Sequence, residues 1–426
     1  MNFNAPKNEN YAAVVYEIKN LLPLEGCDNV VGTTIYGFQA IVGKDTKIGQ
    51  IGIFFPAESQ LSDEYCTANN LYRHSELNSN IEKKGYIEDN RRVKAMKFRG
   101  HASSALFLPL SSLSYLGIKE NDLSVGDTFD ELNGHEICRK YFVLHKNNGR
   151  VNAQPKAKIF TRVDTTFIPE HFSTDNYWRN AHIVSPETEV IVTQKVHGTS
   201  IRIANTKVHR RLTLRDRIAK FLGAHISDWE YDYVFGSRKV IKDIYAKEYQ
   251  HYYDEDIWAV EGKKLEGLVP ENFIIYGELV GWVSSGAPIQ TGYTYHLPQG
   301  TCALYIYRVA FVNEKGFVVD LSWDQLKEFC TQRGLLYVPE IWRGKHKELV
   351  IDTYLDTVYK EKFPSSDCIA LSDKGTVDEG VCIRVDKMTP YILKAKSPLF
   401  FEWETKLLDK GTEDIETAES LPDNEV

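Results

Sequence analysis

Five short segments, far apart in the chain, hold the residues whose types and spacing could do chemistry. In "VIVTQKVHGTSIRIA" Lys195 ends an apolar run, and Gly198 follows three residues later. A lysine at the end of a buried strand is partly desolvated, which favours the neutral, nucleophilic amine over the ammonium. A glycine beside it lets backbone and ligand approach closely. "YGELVG" places Glu278 between an apolar strand and a turn, and "EGVCIRVD" opens with Glu379 before Val381, Ile383 and Val385 alternate on one face. In "YILKAKSP" Lys394 and Lys396 are two apart, so both lie on one side of a strand. "LYIYRVAF" does the same for Tyr305 and Tyr307, a platform for a base. Each segment alone has a plainer explanation: a snorkelling lysine, strand-end acids, a solvated edge strand, core tyrosines. Together, in this order, they describe a site built on a nucleophilic amine.

The elements that must position these residues read as two kinds of structure. Up to about residue 143 the chain carries short β-branched and aromatic runs such as "VVGTTIYGFQAIVGKD" and "KIGQIGIFFPAESQ", separated by glycine turns. "RRVKAMKFRGHASSALFLPL" sets Val93, Ala95, Met96 and Phe98 against Arg92, Lys94, Lys97 and Arg99 before a turn at Gly100. This series fits a small Greek-key barrel of the OB kind over residues 1–150, with an SH3-like barrel as the competing reading. Residues 151–175 are polar, basic and proline-containing, and are expected to be a connector. From 176 to 405 strand-like and helix-like runs alternate, the pattern of an α+β domain whose antiparallel strands form a cleft. Within it "SWDQLKEFCTQRG" predicts a helix with Ser322 as N-cap, Gln325 completing a capping box and Gly334 as the stop. Residues 406–426 are expected to form an acidic tail, disordered beyond about 410.

Composition narrows the setting. The 426 residues are 42% hydrophobic and 26% charged, ordinary for a soluble protein of two or three domains. No apolar run approaches the roughly 20 residues that span a bilayer, and the first residues lack a signal-peptide pattern, so a cytoplasmic protein is expected. Cys27, Cys66, Cys138, Cys302, Cys330, Cys368 and Cys382 show no zinc-like pairing and are read as free thiols. The net charge of −8 is misleading: residues 401–426 hold nine acids against two lysines, so the rest is near neutral.

The order Lys-x-x-Gly, "YGELVG", "EGVCIR", "LKAK" resembles the covalent nucleotidyltransferases, the polynucleotide ligases and mRNA capping enzymes. His197, where many of these enzymes have aspartate, is similar to the RNA ligase branch. "FFPAESQL", "NNLYRHSELN", "KKGYIEDNRRVKAMKFRG" and "FFEWETKLL" resemble the fifth family of RNA ligases, in which an OB domain precedes the adenylyltransferase domain.

The resemblance implies an ATP-dependent RNA ligase joining 5′-phosphate and 3′-hydroxyl ends through lysyl-AMP and RNA-adenylate, in repair of nicked RNA. Lys195 is then the nucleophile, with Lys394 and Lys396 as catalytic cations. Val196, His197, Gly198, Arg238, Glu278, Tyr307 and Glu379 join those two lysines around the nucleotide, with Tyr307 stacking on adenine. Glu278 and Glu379 are hard oxygen donors suited to Mg²⁺ or Mn²⁺. Ser200 and Arg202 are candidates for the RNA end. Arg91, Arg92, Lys94, Lys97 and Arg99 form a candidate phosphate surface on the barrel, and Tyr72, Arg73 and His74 are candidates for duplex contact or packing. A monomer without membrane contact is expected. The competing readings are a DNA ligase, a GTP-dependent capping enzyme, and a catalytically silent RNA-binding protein.

Overall fold

Near-continuous apolar runs explain why the first strands stack into one sheet. In the computed structural model, which describes residues 4–143, 162–242, 255–372 and 375–411, Ala13–Glu17 pairs antiparallel with Ile51–Pro56. Val15, Ile53, Phe55 and Leu106 face one apolar cluster, while Val14, Tyr16, Phe54 and Phe107 face another. A sheet covered on both faces needs near-continuous apolar strands, which is what "AVVYE" and "IGIFFP" supply. The ladder holds seven strands, in the order Thr128–Phe129, Ala13–Glu17, Ile51–Pro56, Ala105–Pro109, Phe38–Gly43, Val30–Ile35, Leu22–Pro23. One pairing is parallel, with Ala40 opposite Ala105. Among the described residues this ladder does not close on itself, so the architecture is an open, mostly antiparallel sheet with few helices.

The chain divides into two compact units. The first combines Met1–His145, Asp175–His182 and Ala395–Glu413. Its C-terminal helix, Pro398–Asp409, carries proline in its first turn. Phe401 stacks on Phe38 at 4.8 Å between ring centroids, and Thr405 Oγ1 donates to Glu58 Oε1 at 2.6 Å. The expected tail therefore begins as helix and ends it at Asp409; residues 412–426 lie outside the described residues.

The second unit takes in Ile183–Lys394 and the segment before Asp175. It holds two sheets. One runs Tyr391–Lys396, Gly380–Val385, Glu189–Gln194, Glu340–Lys345; the other runs Trp229–Gly236, Thr199–His209, Phe273–Gly281, Cys302–Val312, Val318–Asp320. Lys195 to Gly198 is the step from the first sheet to the second. The helix Trp323–Gln332 has Ser322 as N-cap with Gln325 closing the capping box, and Gly334 beyond it at φ 65°. Of the expected connector, 144–161 lie outside the described residues, while Arg162 to Thr174 is packed against the second unit: Arg162 donates to the His209 carbonyl at 2.9 Å, and Ile168 is fully buried. All seven cysteines are free, and no helix among the described residues is long and apolar enough to cross a membrane.

Candidate active site

Lys195 is held from both ends of its side chain. Its backbone N–H donates to the Gly380 carbonyl at 2.9 Å, and its Nζ lies 2.7 Å from Glu379 Oε1. Glu379 is 3% exposed, whereas the lysine side chain keeps a quarter of its surface open. Gly380 follows Glu379 at φ 141°, a conformation side chains avoid, which is why a glycine stands there. His197 Nδ1 is 3.6 Å from the other Glu379 oxygen. Its backbone N–H donates to the Tyr295 hydroxyl at 2.8 Å, and its ring meets Tyr293 edge-on at 5.0 Å. The histidine is thus a backing element for Glu379.

Gly198 meets the same kind of constraint from the neighbouring strand. A Cβ there would lie 2.1 Å from the Leu279 carbonyl oxygen. The close approach lets Gly198 N–H donate to Glu278 Oε1 at 3.1 Å, while Ser200 Oγ donates to Glu278 Oε2 at 3.2 Å. Gln290 Nε2 completes the turn by donating to the Gly198 carbonyl at 2.8 Å. Behind it, Gln194 Nε2 donates to Asp378 Oδ1 at 2.7 Å, and Tyr359 N–H donates to Oδ2 at 2.7 Å. Burial pushes the Asp378 carboxyl up to about 6.

A cleft of about 910 Å³, counted out to its open mouth, is lined by Lys195, Val196, Ser200, Arg238, Glu278 and Tyr307 among others. Cys382 sits in its wall; burial pushes this thiol up to about 11, and it feels the charges of Lys195, Glu379, Lys394 and Glu278 together. Lys195, Arg238, Glu278 and Tyr307, chosen from four separate segments, therefore line one cleft. The long run between Lys195 and Arg238 is an excursion: Thr199–His209 leads out, Leu214–Phe221 forms a helix, and Trp229–Gly236 returns. Its register sets Gly236 opposite Arg202, delivering Arg238 to the cleft.

Other expected positions differ. Arg202 is 1% exposed and donates from Nη1 to the Ile168 carbonyl at 2.8 Å, so it braces a segment instead of offering an RNA contact. Arg92 is equally enclosed: its guanidinium lies 2.6 Å from Asp409 and 3.6 Å from Glu58, over the ring of Tyr141. Lys94 is paired with Glu88 and Asp409 at 2.6 and 2.8 Å. Tyr72 belongs to the core and donates to Asp63 at 2.5 Å, while Arg73 and His74 pair with Glu88 and Asp89. Of the basic strand, Lys97 and Arg99 are exposed and Arg91 is half-buried. Met96 and Phe98 are exposed too, because Met96–Phe98 and His101–Ser103 form a separate two-stranded hairpin turning at Arg99 and Gly100, both at positive φ. Lys396 lies in the first unit, 3.4 Å from Glu404.

Three groups of cleft residues had no signal in the sequence. His171 and Phe172 arrive from the expected connector, Arg308 and Arg384 follow apolar strand residues, and Trp323 begins the capped helix. None belongs to a spaced pattern. Arg384 donates to the Leu321 carbonyl at 2.8 Å, and Arg308 pairs with buried Asp320 while its guanidinium covers Phe172 at 3.5 Å.

Comparison with known proteins places this arrangement. No curated protein matches the chain in sequence. Solved structures of the Naegleria gruberi RNA ligase share its fold. The form with PPi is 15% identical, covers 92% of this chain and 98% of its own, and superposes with a TM-score of 0.59. A variant with ATP and Mn is 16% identical over 93% and 98% of the two chains, with a TM-score of 0.55. A variant with AMP and Mn is 16% identical over 92% and 98%, with a TM-score of 0.56. The family model described as RNA ligase matches residues 188–396, which contain Lys195, Glu278, Glu379 and Lys394. Over residues 188–396 the chain is therefore similar to the RNA ligase family, on a fold shared with a solved RNA ligase.

Proposed function

We propose that the protein is an ATP-dependent RNA ligase that works through a covalent AMP intermediate on Lys195. The observation that carries this is the convergence of Lys195, Arg238, Glu278 and Tyr307 on one cleft, with Lys195 Nζ 2.7 Å from Glu379. The related Naegleria gruberi structures with ATP, AMP, PPi and Mn support the same nucleotide chemistry here.

Lys195 Nζ gives up its proton and attacks the α-phosphorus of ATP. The P–N bond forms as the bond to the β-phosphate oxygen breaks, and pyrophosphate leaves. A 5′-phosphate oxygen of RNA then attacks the same phosphorus and the P–N bond breaks, returning the lysine. Finally a 3′-hydroxyl attacks the RNA 5′-phosphorus, and AMP departs. In this scheme Glu379 holds Nζ in line, backed by His197, and Gly198 leaves room for the phosphate. Glu278 orients the ribose from the Gly198–Ser200 turn. Tyr307 stacks on adenine, and Arg238 and Lys394 neutralise phosphate charge.

Glu278 and Glu379 would also hold a divalent cation, whose charge helps to neutralise the reacting phosphates. No group of three or more His, Cys, Asp or Glu ligands gathers among the described residues. That suits Mg²⁺ or Mn²⁺, which take their remaining oxygens from water and phosphate.

We read residues 1–150 as an OB-like domain ahead of the adenylyltransferase domain, the arrangement of the fifth RNA ligase family. The parallel pairing of Ala40 with Ala105 inside an antiparallel ladder supports that reading. Lys97 and Arg99 are its exposed cations for RNA, with half-buried Arg91 as a further cation and Ser200 at the cleft as the contact to the RNA end. The substrate is a nicked duplex, and the protein works as a cytoplasmic monomer. A sealing assay on nicked duplexes with RNA or DNA at each end, run with ATP and then GTP, tests the reading. Sealing of RNA ends with ATP is expected. Sealing confined to DNA ends, or a requirement for GTP, would reject it.

A further inference from the structure

Tyr307, the residue read above as the base platform, does not hold its orientation alone. The segment Thr166 to Phe172 is strapped across the second sheet through its own carbonyls. Phe167 accepts from Thr206 Oγ1 at 3.4 Å, Ile168 from Arg202 Nη1 at 2.8 Å and Pro169 from the Tyr276 hydroxyl at 2.9 Å. Glu170 pairs with Lys239 at 2.9 Å. Three consecutive carbonyls and one side chain fix this strap before it reaches His171. The buried Arg202 thus has a purpose: it supports the strap.

His171 Nδ1 lies 2.6 Å from the Tyr307 hydroxyl. Its ring packs edge-on against Tyr276 at 5.0 Å and 80°, and its Nε2 is buried with no hydrogen-bond partner. Burial, with Arg238, Arg202, Arg308 and Lys239 around the ring, holds this imidazole well below the usual histidine range. It is therefore neutral at pH 7, with one nitrogen able to accept from the phenol. The ring directs its one hydrogen bond to Tyr307. A phenol tied at its hydroxyl and walled by a fixed strap keeps one ring plane, so a base that stacks on it meets a pre-formed surface.

We propose that His171 is a positioning residue for nucleotide binding: through its hydrogen bond to the Tyr307 hydroxyl it fixes the plane on which the purine base stacks. This rests on the reading of the cleft as the ATP site. The effect belongs to the binding of the adenine, in ATP and in adenylated RNA alike, and not to the bond-making itself.

The test compares His171→Phe, Tyr307→Phe and the double variant, using α-labelled ATP for lysyl-AMP formation and pre-adenylated RNA for joining. His171→Phe keeps an aromatic ring and removes the nitrogen; Tyr307→Phe keeps the stacking ring and removes the hydroxyl. Each is expected to raise the KM for ATP by about tenfold, the usual weight of one buried hydrogen bond. The maximal adduct rate of His171→Phe should stay near the parent's, and the KM for pre-adenylated RNA, which seats the same adenine, should rise in parallel in both single variants. The double variant should be no worse than either single one, because both remove the same bond. An unchanged KM in Tyr307→Phe, or additive losses in the double variant, would overturn the proposal. If His171→Phe does not fold, Tyr307→Phe alone decides. A parent protein that forms no adduct would instead overturn the ATP-ligase reading, and this proposal with it.

Discussion

At the scale of single residues, Gly198 has almost no freedom. The Leu279 carbonyl sits where a Cβ would go, 2.1 Å away, and it belongs to a paired strand that cannot step aside. Gly198→Ala is expected to cost about 1–3 kcal/mol of stability, the usual penalty for overpacking, and to abolish adduct formation. A parent-like thermal midpoint with full adduct would contradict the geometry. Asp378 offers a test with a sign. Its folded value of about 6 stands above the ordinary carboxylate value near 3.8, so between these the folded chain binds more proton than the unfolded one. Stability contributed through this group therefore falls as pH rises from about 4 to about 6. Asp378→Asn removes that dependence and turns an amide donor toward Gln194 Nε2 or the Tyr359 N–H. The substitution should cost most near pH 4.5 and less at pH 7, as read from thermal midpoints; a cost that grows with pH would be the wrong sign. Lys195 and Glu379 flank strand ends while Glu278 and Lys394 lie within strands, and what marked all four in the sequence was the short pattern around each. His171 was not, since nothing local distinguishes it from any other connector histidine.

At the scale of elements, the misread residues share one cause. Arg92 and Arg202 looked like surface cations because charge in a strand usually faces water. Their partners are supplied by distant elements: Asp409 is 317 positions from Arg92, on the C-terminal helix. Periodicity within a segment cannot reveal such a partner. Arg92→Ala removes one member of a buried pair and should cost about 3 kcal/mol, lowering the thermal midpoint of the first unit. A change within error would mean that the C-terminal helix does not depend on this contact. The capped helix at Ser322 was legible because capping is local, three residues wide. The seven-stranded ladder was legible as strands only; their order and the parallel pairing depend on contacts between residues as far apart as Ala40 and Ala105.

For the whole molecule, the net charge of −8 does not describe how RNA is met, because residues 401–426 hold nine of the acids. RNA binding should rest on local cations and weaken with salt. Replacing Lys97 and Arg99 together by alanine should weaken nicked-duplex binding and make the salt dependence shallower by about 1 to 2 in logarithmic slope, while sparing adduct formation. Unchanged binding and slope would remove the hairpin from the RNA surface. Chelating divalent cations should stop adduct formation and allow recovery on adding Mg²⁺ or Mn²⁺, since two carboxylates alone leave most of the ion's coordination to phosphate and water.

Above all, Lys195 is expected to carry the AMP. Incubating parent and Lys195→Ala proteins with ATP labelled on its α-phosphate, then separating under denaturing conditions, measures it directly. The parent should be labelled, with the label released by pyrophosphate, and the Lys195→Ala protein should fold and stay unlabelled. A labelled Lys195→Ala protein, or a parent labelled only by GTP, would contradict it.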